Sequence, residues 1–175
     1  MAEASDRAQG TFPGRLADQA RRRPGKVALR EKKYGIWQQV TWGEYAAHVR
    51  AVAVGLEALG LRRGDTVAII SGNRPAWLYV ELAAQSVGAV PLGIYVDALP
   101  EQVRRVLEHS EARVVLVEDQ EQADKVLGLR DSLAHLQTII VDDMRGLETY
   151  DDPVLVSLEQ VESRGREIDA GERDR

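Results

Sequence analysis

The sequence has no cysteine among its 175 residues. A chain without cysteine can form no disulfide framework, no thiolate metal site and no thiol nucleophile, so its composition does not indicate a redox compartment. The start, MAEASDRAQG, has no basic segment followed by an apolar run, and we therefore expect no secretory signal. The cytoplasm is the default location for such a sequence.

The motifs of several common active sites are missing as well. Neither a GxxxxGKS/T loop nor a GxGxxG turn occurs, which argues against a Walker-type phosphate loop and a nicotinamide-binding domain. There is no GxSxG or SxxK motif to support a serine nucleophile. His48, His109 and His135 are far apart, so we interpret them as helix-surface or partly buried side chains and expect no metal site.

An excess of basic charge is also missing, since the net charge is −5 and the pI is near 5.3. Proteins that bind nucleic acids usually have a basic balance, so we expect no such partner. Residues 76–96 carry only one charge, on Glu81, but several residues interrupt this apolar run: Gln85, Ser86, Gly88, Pro91 and Gly93. A buried helix followed by a buried strand explains the run better than a transmembrane segment.

What the sequence does contain is an alternation of short β-branched strands with amphipathic helices. Four strands are predicted, at 66–71, 90–95, 113–118 and 136–142, with helices between them at 75–87, 100–110 and 119–133. Such an alternation is typical of right-handed crossovers between parallel strands. We therefore predict an α/β fold with a mainly parallel sheet that is flanked by helices on both faces.

The amino-terminal part is predicted to differ from this repeat. A helix over 11–23 ends at Pro24 and Gly25, and strands at 26–30 and 37–41 form a β-hairpin that turns at Gly35.

The next helix has the clearest boundaries in the chain. Thr41 and Glu44 have the spacing of a capping box, and Gly60 suits a left-handed stop. Its predicted apolar face is Tyr45, Val49, Val52, Leu56 and Leu59, with Glu44, Arg50 and Glu57 opposite.

The alternation fades after residue 143. Residues 144–153 have the composition of a loop, and 154–158 suit a short strand or the start of a helix. Ten of the seventeen residues from 159 to 175 are charged. We expect this tail to be disordered, because it has too little apolar surface to offset the entropy of ordering.

Two groups of polar residues are candidates for a binding role. Asn73 and Arg74 follow a predicted strand at the edge where open α/β sheets bind ligands, but Ser71 or Asn73 could instead cap the helix that begins at Pro75. A basic group at the end of the first helix could attract a phosphate or complement the helix dipole on a solvated face: Arg15, Arg21, Arg22, Arg23 and Lys26.

The order of several longer stretches carries a family resemblance. These are TFPGRLADQARRRPGKVALR, VTWGEYAAHVRAVAVGLEALGLRRGDTVAIISGNRPAW, QSVGAVPLGIY and HSEARVVLVEDQEQADKVL. Together they resemble the amino-terminal part of the AMP-forming acyl-CoA synthetases, and in particular the long-chain fatty-acid CoA ligases. The resemblance extends over about residues 11–160.

The resemblance implies a parent enzyme that joins a fatty acid to coenzyme A with ATP and Mg²⁺, releasing AMP and diphosphate. In that family the phosphate loop, the adenine-binding segments, the ribose-binding acid and the catalytic lysine lie beyond the stretch matched here. The resemblance therefore implies no catalytic residue in this chain, whose role would be structural, with the remainder of a synthetase as its partner. The location that it implies for the parent is cytoplasmic, with a peripheral membrane location as the alternative.

The loop after the strand at 90–95 is the one place where the resemblance implies a ligand contact. Some family members have paired glycines there, near the coenzyme A nucleotide, whereas this chain has Tyr95, Val96, Asp97 and Ala98. Tyr95 and Asp97 are thus the candidate ligand-facing residues. The alternative is that Tyr95 packs into the subdomain and Asp97 turns the chain.

The sequence thus predicts three segments: a disordered start at 1–10, an α/β subdomain at 11–158 within a larger synthetase domain, and a charged tail at 159–175. Two other functions stay open at this point. The chain could be a free-standing scaffold or binding module without activity, or its parent could act on an aryl or short-chain acid. Exposed apolar surface would also favour a homodimer.

Overall fold

The computed structural model describes residues 10–173, so most of the segment predicted to be a disordered start lies outside the described residues. The helices are α1 (Phe12–Arg22), α2 (Trp42–Ala58), α3 (Pro75–Ser86), α4 (Pro100–Ser110), α5 (Gln120–Leu127) and α6 (Leu158–Arg173). The strands are β1 (Val27–Lys33), β2 (Ile36–Thr41), β3 (Thr66–Ile70), β4 (Val90–Ile94), β5 (Val114–Val117), β6 (Thr138–Val141) and β7 (Leu155–Ser157).

A five-stranded sheet forms the centre of the structure, in the order β4-β3-β5-β6-β7. All four of its strand pairs are parallel. The predicted α/β class and parallel sheet are therefore confirmed. Parallel strands need a crossover connection between them, and α3, α4 and α5 provide these connections from β3 to β6.

Alternate residues of each central strand serve two separate cores. On one face Val67, Ile69 and Leu116 pack with side chains of α1, α2, α3 and α6. On the other face Ile70 and Val115 pack with side chains of α4 and α5. The prediction of helices on both faces of the sheet is confirmed, and burial on both sides explains why these strands are apolar throughout.

The helix boundaries in the first half follow the sequence signals closely. At the start of α2, the Glu44 backbone N–H donates to the Thr41 hydroxyl, and the Thr41 backbone N–H donates to the Glu44 carboxylate over 2.8 Å, which confirms the capping box. The predicted apolar face is confirmed as well, since Val52 and Leu56 are fully buried. Gly60 has the left-handed backbone that ends the helix, with φ of 90°.

The β1–β2 hairpin is confirmed, and its turn needs unusual backbone angles. Tyr34 and Gly35 have φ of 51° and 80°, which matches the two left-handed positions of a tight hairpin turn. The strands pair antiparallel up to Lys33 and Ile36, so the hairpin extends closer to its turn than the sequence indicated. At its other end, Leu29 and Val40 pack against the core beside α2.

The helix predicted over 119–133 is too long. The structure ends α5 at Leu127, and a short 3₁₀ turn over Arg130–Ser132 follows Gly128.

Within the described part of the chain, no helix is long and apolar enough to cross a membrane.

The expectation of a disordered tail is wrong for residues 159–173, which belong to α6. A second capping box begins this helix: the Gln160 N–H donates to the Ser157 hydroxyl, and the Ser157 N–H donates to the Gln160 side chain over 2.8 Å. The sequence Ser-Leu-Glu-Gln carries this signal, which a count of apolar residues overlooks.

Glycines explain how so polar a helix can pack. A side-chain carbon at Gly165 would overlap the carbonyl oxygen of Ala51, and one at Gly55 would overlap the carbonyl oxygen of Val161. The backbones of α2 and α6 therefore approach closely, and burial is achieved without large apolar side chains.

Candidate functional site

The candidate site lies where the strands β3, β4, β5 and β6 end. Parallel strands bring their carboxyl ends to one edge of the sheet, and ligands of open α/β sheets bind in crevices there. Ser71 to Arg74 follow β3, Glu118 follows β5, and Asp142 and Asp143 follow β6. We call this set of polar residues the carboxyl-edge cluster.

Arg74 is the centre of this cluster. Its guanidinium donates to the Asp142 carboxylate over 3.1 Å and lies 3.6 Å from the Glu118 carboxylate. Glu118 in turn accepts from the Gly72 backbone N–H over 2.5 Å and from the Ser71 hydroxyl over 3.3 Å. One arginine and two carboxylates thus connect three loops of the sheet edge.

The interpretation of Ser71 or Asn73 as the helix cap is wrong. The N-cap residue of α3 is Arg74, and no side chain makes a capping hydrogen bond there. Pro75 occupies the first turn, where its missing N–H leaves one donor fewer to satisfy. Ser71 and Arg74 instead interact with residues about fifty to seventy positions away, pairings that one sequence cannot reveal.

The charges of the cluster affect one another. Burial raises the pKa of Asp142 above its usual value, and the hydrogen bond and charge of Arg74 oppose this shift. Burial lowers the pKa of Arg74, but its hydrogen bond to Asp142 and the charge of Glu118 outweigh it and raise the pKa. The raised pKa of Asp142 favours its neutral form, whereas the raised pKa of Arg74 reflects an ionised Asp142. The Arg74 guanidinium lies 3.1 Å from the Asp142 carboxylate, whose side chain is 26% exposed, so the two groups form a charged pair.

Asp143 has its own cation. Side-chain hydrogen bonds from Arg145 lower the pKa of Asp143 to about 2, and the Arg145 guanidinium also lies 5.6 Å from the centre of the Tyr34 ring. Arg145 therefore connects the loop after β6 to the turn of the hairpin.

A cleft of ≈ 670 Å³ separates the hairpin from the carboxyl-edge cluster. Its walls are Lys33, Trp37 and Gln38 of the hairpin and Asn73 and Asp142 of the sheet edge, with other residues between them. The structure thus places Asn73 and Arg74 at an open, polar cleft, as the binding interpretation of these residues requires.

Tyr95 and Asp97 lie beside this edge, on the loop after β4. The Tyr95 side chain is 84% exposed, so the alternative in which it packs into the subdomain is wrong. The Ala98 N–H donates to the Tyr95 carbonyl over 3.1 Å, and Asp97 lies exposed within that turn. A ligand contact by Tyr95 or Asp97 stays a prediction.

Sequence reasoning missed the side chain that holds this loop. The Lys125 ammonium, on α5, donates to the backbone carbonyls of Val96 and Ala98 over 2.8 and 3.1 Å. A lysine near a helix end is usually solvated, so only the fold reveals this anchor. A cavity of ≈ 510 Å³ beside the loop is lined by Trp77, which lies over Gly93 where any larger residue would collide with its ring.

The other candidates do not join the site. Arg21 and Arg22 pair with Asp18 on their own helix, which supports the solvated-face interpretation. His48 lies on α2, where its ring stacks on Tyr79 of α3 at 4.5 Å. Within residues 10–173, no three or more histidine, aspartate or glutamate side chains come together in a way that could hold a metal ion.

Three comparisons relate the chain to known proteins. A family model described as AMP-binding enzyme matches residues 16–167. The long-chain-fatty-acid–CoA ligase FadD15 of Mycobacterium bovis is 41% identical over 106 residues, which are 61% of this chain and 18% of that protein. The uncharacterized protein Rv1549 of Mycobacterium tuberculosis is 42% identical over 97 residues, which are 55% of this chain and 54% of that protein.

Among solved structures, acetoacetyl-CoA synthetase from Streptomyces lividans has a TM-score of 0.77 and 25% identity. The similarity covers 87% of this chain and 25% of that enzyme. The chain therefore spans a small part of the length of the ligases that it matches.

Proposed function

Because the chain belongs to the family of AMP-binding enzymes, we propose that it is the amino-terminal α/β subdomain of a long-chain fatty-acid CoA ligase. The parent reaction would join a fatty acid to coenzyme A, with ATP and Mg²⁺ as further reactants and AMP and diphosphate as products. The observation that supports this choice is the 41% identity to a ligase with that name. A cytoplasmic location is part of the same proposal.

We further propose that this subdomain is structural and does not itself catalyse the reaction. Transfer to or from a phosphate requires cations, metal or backbone donors that are free to stabilise negative charge. In the carboxyl-edge cluster, Arg74 is already paired with Asp142 and Glu118, and the neighbouring Arg145 is paired with Asp143. The geometry thus favours a subdomain that supports a neighbouring binding site and does not supply its catalytic groups.

A chimera tests the proposed identity. The 106 residues of FadD15 that match this chain would be replaced by the residues found here, and acyl-CoA synthesis from a long-chain fatty acid would be measured. We expect a folded chimera with measurable ligase activity. A chimera that folds, as shown by circular dichroism, but does not form acyl-CoA contradicts the proposal.

The isolated chain tests the structural role. Isothermal titration with Mg-ATP and with a fatty acid should show no binding, and ATP–diphosphate exchange should be absent. Micromolar affinity for ATP, or formation of acyl-AMP, would contradict the proposal that this subdomain is inactive alone.

A second candidate function is a free-standing scaffold or binding module with the same fold. One observation favours it: the matched residues make up 54% of Rv1549 but only 18% of FadD15, so a similar stretch also occurs in a protein much shorter than that ligase. Sequencing the gene beyond the codon for Arg175 distinguishes the two candidates. A stop codon favours the module, and a following Ser/Thr/Gly-rich loop favours the ligase.

A further inference from the structure

The parallel sheet has two outer strands, and their free edges differ. Within residues 10–173, β4 and β7 lie at the two ends of the order β4-β3-β5-β6-β7. An outer strand presents backbone N–H and C=O groups that its own sheet does not pair, and such an edge can pair with a strand of another molecule. The hydrogen bonds at each edge therefore indicate where this sheet can be extended.

The edge of β7 is closed by the chain itself. The Leu155 N–H donates to the Asp152 carbonyl over 3.0 Å. The Ser157 N–H donates to the Gln160 side chain over 2.8 Å. These donors are therefore already used, and the strand is only three residues long. A short outer strand whose donors are satisfied is a poor site for pairing with another strand.

The edge of β4 is open. The Val90 N–H donates to the Asp65 carbonyl over 2.8 Å, so the backbone groups of Val90 point towards β3. Backbone groups alternate in direction along a strand, and those of Pro91, Gly93 and Tyr95 therefore point away from the sheet. Gly93 offers a donor and an acceptor at this edge, Tyr95 offers its N–H, and Pro91 offers its carbonyl.

Pro91 and Tyr95 complement each other at this edge. Pro91 has no N–H to donate, and the Tyr95 carbonyl already accepts from the Ala98 N–H over 3.1 Å. If two β4 strands pair antiparallel about Gly93, Pro91 of one copy lies opposite Tyr95 of the other. The missing donor then faces the acceptor that is already used, and the Tyr95 N–H faces the outward Pro91 carbonyl. The edge thus fits a second copy of itself.

The side chains around this edge are apolar. Tyr95, Val90 and Val106 are 84%, 54% and 36% exposed. On one face of the sheet, Trp77 of α3 lies against Gly93. On the other face, Val106 of α4 lines a cavity of ≈ 430 Å³ that Gly93 and Tyr95 also line. Exposed apolar surface of this kind usually marks an interaction site.

The charge of this edge favours a second copy over a charged partner. Residues 82–96 contain no charged side chain, although 29% of the whole chain is charged. Two copies that each have a net charge of −5 repel one another, so a surface without charge is the one through which they can associate at least cost. A nucleic acid or a strongly charged protein would find no charge to pair with here.

We propose that this chain forms a symmetric dimer in which the β4 strands of two copies pair antiparallel, centred on Gly93. The two sheets then form one continuous sheet, with α3 of both copies on one face and α4 of both copies on the other. Because both copies use the same surface, the contact is closed and assembly stops at two. This inference goes beyond the function proposed above and does not rest on it.

Sedimentation equilibrium of the 175-residue chain tests the proposal. We expect an equilibrium between a monomer of 19.4 kDa and a dimer of twice that mass. The dimer should persist at high salt, because salt screens charges and the proposed contact has none. A monomer at all concentrations, assemblies larger than two copies, or a dimer that dissociates at high salt would each overturn the proposal.

Two variants of one residue separate the backbone pairing from the side chain. Tyr95→Pro removes the outward N–H and should weaken dimerisation by about tenfold or more, because the lost hydrogen bond occurs twice in a symmetric dimer. Tyr95→Ala keeps the N–H and should weaken dimerisation less.

The matched control is Tyr34→Ala, at another strongly exposed tyrosine, which lies in the turn of the hairpin. We expect the control to dimerise like the unaltered chain. Circular dichroism verifies that each variant is folded. A folded Tyr95→Pro variant that dimerises as well as the control would contradict the proposed pairing.

Introduced thiols test the register without weakening the dimer. The chain has no cysteine, so Pro91→Cys and Tyr95→Cys each provide a single thiol. The proposed register places position 91 of one copy opposite position 95 of the other, whereas each position lies far from its own counterpart. With copper phenanthroline as oxidant, we expect covalent dimers in a mixture of the two variants and none from either variant alone. Dimers that the mixture does not link would mean that another surface is used, and would overturn the proposal.

Discussion

The two helical layers of this protein cover the same sheet by different means. On one face, α4 and α5 bury apolar side chains such as Leu107 and Val126. The charges of α4 pair within the helix, as Arg104 does with Glu101 and Glu108. On the other face, α6 packs against α2 through Gly55 and Gly165. The packing of the first layer follows a pattern that periodicity detects, whereas the contact between α2 and α6 does not.

Charged groups also play different roles in the two layers. Across the α2–α6 contact, His48 hydrogen-bonds Glu162 at 2.9 Å, and Arg50 pairs with Asp169. Glu162 is only 7% exposed and also pairs with Arg166 at 2.8 Å. Ion pairs that connect elements far apart in sequence position a helix, whereas pairs within one exposed helix contribute little.

The largest effect is expected for buried leucines, which both helical layers contain. Leu56→Ala in α2 and Leu107→Ala in α4 should each reduce the free energy of unfolding by about 2–5 kcal/mol, because each removes a buried side chain and leaves a cavity. Their exposed fractions are 0% and 3%. Urea denaturation measures the change. A negligible loss for Leu56→Ala would mean that α2 does not use this face for packing.

A smaller effect is expected for a substitution that affects only the contact between α2 and α6. Gly165→Ala should reduce the free energy of unfolding by about 1–3 kcal/mol, since the added carbon forces α6 away from α2. The matched control in the same helix is Gly171→Ala, where nothing lies within 4 Å of the added carbon. The control should be neutral or stabilising by less than about 1 kcal/mol, because alanine favours helix over glycine. Equal effects at both positions would contradict the close α2–α6 packing.

The smallest effect concerns pH. Burial raises the pKa of Glu162, but the hydrogen bonds and charges of His48 and Arg166 outweigh it, so the pKa lies below 4.5. A carboxyl group with a lowered pKa in the folded state stabilises the protein above its unfolded pKa and loses this effect as the pH falls through its folded pKa. The stability difference between the unaltered chain and Glu162→Gln should therefore shrink as the pH falls below the pKa of an unfolded glutamate, about 4.3.

Glu101 is the control for this measurement. Side-chain hydrogen bonds from Arg104 and Arg105 lower its pKa to about 2, but the carboxylate lies on an exposed helix face. Solvent screens that pair, so Glu101→Gln should have less effect on the pH dependence of urea unfolding despite the pKa of about 2. A larger effect for Glu101→Gln than for Glu162→Gln would contradict the difference between the layers.

Only part of the candidate site could be predicted from the sequence. The position of Asn73 and Arg74 at the carboxyl edge follows from the strand that precedes them. Their partners do not, because Asp142 lies 68 residues from Arg74 along the chain. Lys125 is a similar case, since the carbonyls that it holds belong to a loop 27 to 29 residues earlier.

The sequence by itself determined the order of the strands and helices, the capping box of α2 and the parallel sheet, because each depends on spacings within about twenty residues. Only the tertiary structure decided that the charged carboxyl-terminal helix packs against α2, that Arg74 joins three loops, and that the hairpin end stays exposed. These features depend on which backbones and charges meet after folding. A glycine that allows two helices to touch looks, in the sequence, the same as a glycine in a flexible tail.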